Sequence, residues 1–140
     1  MQLGTFGAIL NYAIEMEGSS STFYEGLAEK APEKVKAVIS EQAVASKKNK
    51  QTLERTRRME MQEMILEAIT GMDTVSYDAK KEMPHDFKAG LTSALEIETK
   101  AALFYRDASK KLGFLPNASK TMEKIGRERE ARVEKLKSCL

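Results

Sequence analysis

The chain has 140 residues, of which 41% are hydrophobic and 31% are charged, which is the composition of an ordinary globular domain with its own core. A formal net charge of +2 is too small to indicate a nucleic-acid or membrane-surface ligand, and no apolar run approaches the ~20 residues that a membrane-spanning helix needs. From the length we expect one domain over residues 1–140. The single cysteine, Cys139, cannot form an internal disulfide, and residues 1–16 lack the basic start of a signal peptide. We therefore expect the protein to lie in the cytoplasm.

Four segments of the chain repeat their core-type residues at steps of three and four, which is the pattern of one face of an α-helix. The predicted helices span residues 6–27, 35–53, 87–112 and 118–136. Short connections follow the first and third helices, and short loops join antiparallel neighbours. In the second of these connections, Asn117 can cap the fourth helix.

A longer connection separates the second predicted helix from the third. Residues 59–69 continue the helical pattern, Gly71 and Asp73 end it, and residues 75–84 show no regular pattern. Two similar hairpins joined by one long crossover are typical of a four-helix bundle with a single crossover. The sequence therefore predicts an all-α, antiparallel four-helix bundle.

The first and third helices carry the same motif in the same register. The motif consists of Glu-x-Glu, five further residues and Phe-Tyr, and it begins at Glu15 and again at Glu96. Its second acid, Glu17 or Glu98, falls within the core-facing stripe, whereas its first acid lies about 200° around the helix, where a solvated side chain is expected. A repeat of this length indicates a duplicated helical hairpin.

Polar side chains stand in the middle of all four predicted stripes, at positions where an apolar core residue is expected. They are Glu17 on the first helix, Ser46 and Asn49 on the second, Glu98 on the third, and Arg129 and Arg132 on the fourth. A buried charge without a partner costs several kcal/mol. We therefore expect these six side chains to face one another in one layer of the bundle.

This layout resembles the ferritin-like di-iron proteins, and most closely the rubrerythrin-type ferritin-like domain. In that family the first and third helices each supply a Glu that is followed seven residues later by a Tyr, and the other two helices each supply Glu-x-x-His. Glu17 with Tyr24, and Glu98 with Tyr105, match the first and third helices. The resemblance covers nearly the whole chain and implies a ferritin-like bundle that associates as a homodimer.

The second and fourth helices depart from the family pattern. The Glu and His positions are taken by Ser46 and Asn49 in the second helix and by Arg129 and Arg132 in the fourth. The only histidine, His85, lies at the start of the third helix, away from the stripe. An arginine repels a dication and cannot lose its proton to become a ligand. We therefore expect a Glu–Arg network in place of the metals, with no cofactor and no catalytic residue.

Three interpretations of the function remain open at this point. The first is a non-catalytic, rubrerythrin-related binding or interaction protein, in which Tyr24 and Tyr105 support the Glu–Arg network. The second is an oxidoreductase or peroxide-handling enzyme that binds iron or manganese through Glu17 and Glu98 with Glu41, Glu128 or Glu130, its fourth helix being rotated so that the arginines point outward. The third is a protein whose basic second helix binds DNA or a protein partner, although the interspersed acids favour a solvated face.

Overall fold

Four long helices make up most of the residues that the computed structural model describes, which are residues 1–60, 68–79 and 82–140. Helix α1 spans Phe6–Lys30, α2 spans Glu33–Glu60, α3 spans Phe87–Lys111 and α4 spans Pro116–Lys137. The four predicted helices are thus confirmed. The predicted continuation of the second helix falls mostly on residues 61–67, which lie outside the described residues, and it is wrong for residues 68 and 69, which are not helical.

The ends of the helices follow from local chemistry. The side chains of Thr5 and Asp86 cap α1 and α3 by accepting hydrogen bonds from backbone N–H groups of the first turn. The start of α4 differs from the prediction, because Leu115 occupies the cap position and Asn117 lies inside the first turn. Pro116 takes the first helical position, where its fixed φ and its missing N–H cost nothing.

The helices form two antiparallel hairpins that pack side by side. Helix α1 packs along α2, and α3 packs along α4, while the hairpins meet through α1 on α3 and α2 on α4. Helices α1 and α4 therefore face each other diagonally across the centre of the bundle. None of the described helices combines the length and the apolar character that crossing a membrane requires.

The apolar core consists of two clusters, each built from all four helices. The first cluster includes Leu10, Leu53, Phe104 and Met122, and the second includes Leu27, Ile39, Leu91 and Leu136. Between them, each helix carries buried polar side chains instead of apolar ones. The bundle thus has a polar layer that separates two apolar halves.

The crossover between α2 and α3 packs on the segment that precedes α1. The Leu3 N–H donates to the Met72 carbonyl at 2.8 Å, close to an isolated antiparallel bridge between residues 2 and 73. Gly71 has a φ of 88°, a left-handed conformation that favours glycine. One 3-10 turn, Thr74–Ser76, follows. The described part of the crossover is therefore irregular beyond this turn, as the sequence indicates.

Candidate functional site

The six polar residues that the sequence places in one layer lie together in the centre of the bundle. Glu17, Ser46, Glu98, Arg129 and Arg132 are at most 1% exposed, and Asn49 is 7% exposed. Of all the fully buried side chains in the described residues, the two arginines are the largest. The alternative orientation of α4, with both arginines in solvent, is therefore wrong.

The Arg129 guanidinium lies between the carboxylates of α1 and α3. Its Nη1 donates to Oε1 and Oε2 of Glu98 at 2.9 and 2.7 Å. Its Nε and Nη2 donate to Oε2 of Glu17 at 3.2 and 2.8 Å, and Nη2 also donates to the Ser20 hydroxyl at 2.9 Å. Every guanidinium nitrogen has an acceptor, so the buried charge leaves no unsatisfied donor.

The protonation of Arg129 follows from its neighbours. Burial by itself would lower the pKa of this guanidinium, but the negative charges of Glu17 and Glu98 raise the pKa well above its ordinary value. The guanidinium therefore stays positive. It has no lone pair to offer to a metal ion.

Two tyrosines exchange hydrogen bonds between the hairpins. The Tyr24 hydroxyl on α1 donates to Oε2 of Glu98 on α3, and the Tyr105 hydroxyl on α3 donates to Oε2 of Glu17 on α1, both at 2.5 Å. Burial raises the pKa of each phenol well above its ordinary value of 10, and the partner carboxylate raises it further. Both phenols therefore keep their protons, and each hairpin donates one hydrogen bond to the buried carboxylate of the other.

Arg132 forms the edge of the layer that is nearest to α2. Its Nη1 donates to the Ser46 hydroxyl at 2.8 Å and lies 3.7 Å from Oε2 of Glu98. Its Nη2 and Nε donate to Oε1 of Glu128 at 2.6 and 3.2 Å. The side chain of Glu128 is 39% exposed, so this ion pair reaches solvent, whereas the pairs of Arg129 do not.

The other acids that the metal-binding alternative requires lie outside the layer or at its edge. Glu41 and Glu130 are exposed, and Glu128 is already engaged by Arg132. The first acids of the repeated motif, Glu15 and Glu96, are exposed as the helical geometry indicates. In the described ranges, His, Cys, Asp and Glu side chains form no group of three or more that is arranged to hold a metal ion.

The residues of the layer do not fit a pair of iron ions. The layer offers two buried carboxylates, and a guanidinium whose nitrogens lie within hydrogen-bond distance of both occupies the space between them. His85, the only imidazole in the chain, is exposed at the start of α3. A dication in the layer would lack nitrogen ligands and would be repelled by Arg129 and Arg132.

Two members of this network are not predicted by the sequence patterns. Ser20 lies one turn after Glu17, in the core-facing stripe of α1, and a small polar residue in such a stripe was the available signal. Glu128 was considered only as a metal ligand. Its position four residues before Arg132 is the spacing of an ion pair on one helix face, and the structure contains that pair.

The chain is similar in structure to a protein from Thermotoga maritima that is provisionally classed as a ferritin-like diiron-carboxylate protein. The two structures superpose with a TM-score of 0.75 at 23% sequence identity, over 96% of this chain and 93% of that chain. The bundle is therefore ferritin-like in fold, as the sequence predicts. No protein-family model matches the sequence, and no curated protein matches it significantly.

Proposed function

We propose that this protein is a rubrerythrin-like, ferritin-like protein that has lost its di-iron centre and has a non-catalytic binding or interaction role. The observation that carries the proposal is the position of the Arg129 guanidinium, which bridges the buried carboxylates of Glu17 and Glu98. Proteins of this fold often use the same depth of the bundle for metals. Fold alone does not fix function, so the proposal depends on the chemistry of this layer.

Charge balance supports the replacement of metals by arginines. Two carboxylates and two guanidinium groups lie in the layer, and their ion pairs offset the cost of burying the carboxylates without iron. Ser46 accepts a hydrogen bond from Arg132, and its short side chain leaves space for the long one. Truncating one partner of such a buried pair typically lowers stability by about 3–5 kcal/mol.

The proposal includes a homodimer in the cytoplasm. Ferritin-like domains of the rubrerythrin type usually associate through their helix faces, and a lone cysteine suits a reducing compartment. Sedimentation equilibrium of the purified chain at several concentrations tests the homodimer. A mass equal to that of one chain throughout the concentration range would contradict it.

Metal analysis of the purified protein tests the loss of the di-iron centre. After expression in iron-rich medium, we expect elemental analysis to find iron and manganese far below one ion per chain and visible spectroscopy to find no metal-dependent absorption. A content of roughly two ions per chain would refute the proposal and favour an oxidoreductase with an atypical ligand set. The variant Glu17→Gln separates the two functions further, because it should lower stability in the proposed protein and abolish metal loading in the enzyme.

A gel shift at increasing salt concentration tests the remaining alternative, in which the basic face of α2 binds DNA. Acids such as Glu41 and Glu54 are interspersed among the basic residues of α2, and Lys47 already pairs with Glu25 at 2.8 Å. We therefore expect no complex at moderate salt, because binding that rests on a few phosphate contacts weakens steeply as salt rises. A sequence-specific complex that survives moderate salt would instead favour the DNA-binding function.

A further inference from the structure

A groove between α2 and α4 opens onto the edge of the buried layer. Its volume is about 240 Å³, and its lining includes Asn49 and Glu128, which both belong to the hydrogen-bond network of the layer. Lys48 and Lys124 also line it, one from each helix. The groove is thus a path by which a small molecule can reach the network from solvent.

Three N–H donors converge on a single oxygen position at the inner end of this groove. Arg132 donates to Oε1 of Glu128 from Nη2 at 2.6 Å and from Nε at 3.2 Å, and Asn49 donates to the same oxygen from Nδ2 at 3.3 Å. Three donors around one oxygen are the arrangement that recognises a carboxylate or phosphate oxygen. The chain fills this cradle with its own carboxylate.

The carboxylate of Glu128 can leave the cradle without disturbing the donors. Glu128 lies on the same helix as Arg132, four residues earlier, and its side chain is 39% exposed, so a rotation of its side-chain torsions moves it into solvent. Arg132 is 1% exposed and stays in place, because Ser46 accepts from its Nη1 at 2.8 Å. The cradle is therefore preformed, and its occupant is exchangeable.

The rim of the groove carries positive charge. Lys48 and Lys124 take part in no ion pair with another described residue, and both are exposed. Two such cations raise the local concentration of anions at the entrance. They also compensate the charge of an anion that arrives while Glu128 is displaced.

We propose that this groove binds a small oxyanion, either a carboxylate or a phosphate, and that Glu128 is the internal carboxylate that the ligand displaces. One ligand oxygen takes the position of Oε1 of Glu128 and accepts hydrogen bonds from Arg132 and Asn49, while Lys48 and Lys124 face the remaining negative charge. The inference deepens the proposed binding role, and it rests on that proposal because Arg132 must lie in the layer.

Removal of the internal carboxylate tests this inference. Wild-type protein and the variant Glu128→Ala are titrated with acetate, succinate and inorganic phosphate at constant ionic strength, set with sodium chloride, and binding is followed by calorimetry and by thermal unfolding. Glu128→Ala should bind at least one of these anions roughly tenfold more tightly than the wild type, because no internal group competes. The matched control is Glu130→Ala, which removes an exposed acid from the same helix and should bind as the wild type does.

Variants of the donors distinguish recognition from general charge attraction. In the Glu128→Ala background, Asn49→Ala and Arg132→Lys should each weaken the binding. Asn49→Ala removes one N–H donor, and Arg132→Lys replaces the planar guanidinium, which donates from two nitrogens, with a single ammonium group. The separate titrations distinguish a carboxylate ligand from a phosphate ligand. Equal responses of the Glu128→Ala and Glu130→Ala variants, or a response of the same size when sodium chloride alone is added, would overturn the inference. Metal analysis of the same preparations separates the two proposals: roughly two iron ions per chain refute the proposed function, whereas metal-free protein without an oxyanion response refutes only the groove.

Discussion

The two hairpins are alike in one helix and different in the other. Helices α1 and α3 each present a buried Glu and a Tyr that donates to the acid of the other hairpin. At the equivalent depth, α2 presents Ser46 and Asn49, whereas α4 presents Arg129 and Arg132. The duplicated half of the layer therefore supplies negative charge symmetrically, and the other half supplies positive charge from one side only.

The asymmetry follows from volume and charge. Arg129 spans the layer as far as Glu17 on the diagonal helix, and the short side chain of Ser46 on α2 leaves room for Arg132. A pair of arginines on both hairpins would place four cations beside two buried acids, and a pair on neither would leave the acids facing each other unpaired. One pair on one hairpin is the arrangement that keeps both acids neutralised without a metal.

The largest expected effect comes from making the two hairpins alike. The quadruple variant Ser46→Glu, Asn49→His, Arg129→Glu and Arg132→His installs the Glu-x-x-His motif of the rubrerythrin-type domain on both α2 and α4. We expect it to bind roughly two iron ions per chain, because its four carboxylates and two imidazoles form a complete ligand set. Elemental analysis after reconstitution with ferrous iron measures this gain.

The matched control for the quadruple variant changes α2 alone, with Ser46→Glu and Asn49→His. It keeps both arginines and should bind no stoichiometric iron, because the guanidinium groups still occupy the layer. If the quadruple variant folds and remains free of metal, the layer is not equivalent to a di-iron site, and the four substituted residues are not what keeps metal out of the bundle.

Removal of the central cation has the next largest effect. The variant Arg129→Met leaves Glu17 and Glu98 buried without their ion pairs and should lower the free energy of unfolding by about 3–5 kcal/mol. Urea denaturation measures the change. The control is Arg127→Met, because Arg127 is exposed and, among the described residues, pairs only with Glu123 on its own helix. Its loss should change stability by less than about 0.5 kcal/mol. Similar losses in the two variants would show that the buried network does not stabilise the fold.

The sequence predicted the part of the layer that is repeated. The motif that begins at Glu15 and at Glu96 fixes the face of two helices at once, because each copy confirms the register of the other. Once Glu17 and Glu98 are placed in the core, a cation of similar depth is required by the energetics of buried charge. The bundle and the position of its polar layer follow from these local patterns.

The remaining features depend on contacts that local patterns do not encode. Val133 is half-buried next to Arg132, so the periodicity of α4 allows two orientations, and only the buried acids on α1 and α3 select one of them. The crossover is stabilised by backbone hydrogen bonds such as that of Leu3 with Met72, which leave no mark on the side-chain pattern. The start of α4 at Pro116 shows that a proline at the first position outweighs a good capping residue at the next.

The loss of either layer tyrosine hydroxyl should have an intermediate effect on stability, and it tests the repeated half of the layer on α1 and α3. Tyr24→Phe and Tyr105→Phe each remove a hydroxyl that donates a hydrogen bond to a buried carboxylate, and each should lower the free energy of unfolding by about 1–3 kcal/mol. The two losses should agree within about 0.5 kcal/mol, since the two hydrogen bonds are equivalent across the hairpins. Tyr12→Phe on α1 is the control, because the partner of Tyr12 is the exposed Asp78, which water can solvate instead. Unequal losses at Tyr24 and Tyr105 would mean that the repeated halves are not energetically alike.

The smallest expected effect is the contribution of tyrosine ionisation to stability, which is absent at neutral pH and appears only at alkaline pH. Each of the four tyrosines donates its hydroxyl to an Asp or Glu side chain, and burial, followed by the neighbouring carboxylates, raises the pKa of all four phenols above the ordinary value of 10. A pKa that is higher in the folded state gives stability that is complete below pH 10 and is lost as the pH rises from there towards the folded pKa, because the unfolded chain releases its phenolic protons first.

Spectrophotometric titration measures this behaviour directly, since the chain has no tryptophan and phenolate absorption is not obscured. We expect little phenolate in the folded protein near pH 10, followed by ionisation of the tyrosines together with cooperative unfolding. Removing either layer tyrosine, by Tyr24→Phe or Tyr105→Phe, should reduce the loss of stability above pH 10 by about 1.4 kcal/mol per pH unit. Because the two layer tyrosines have reciprocal partners, the two variants should give the same reduction. If either Tyr24 or Tyr105 ionises near pH 10 while the protein is still folded, the two reciprocal hydrogen bonds to the buried carboxylates are not equivalent.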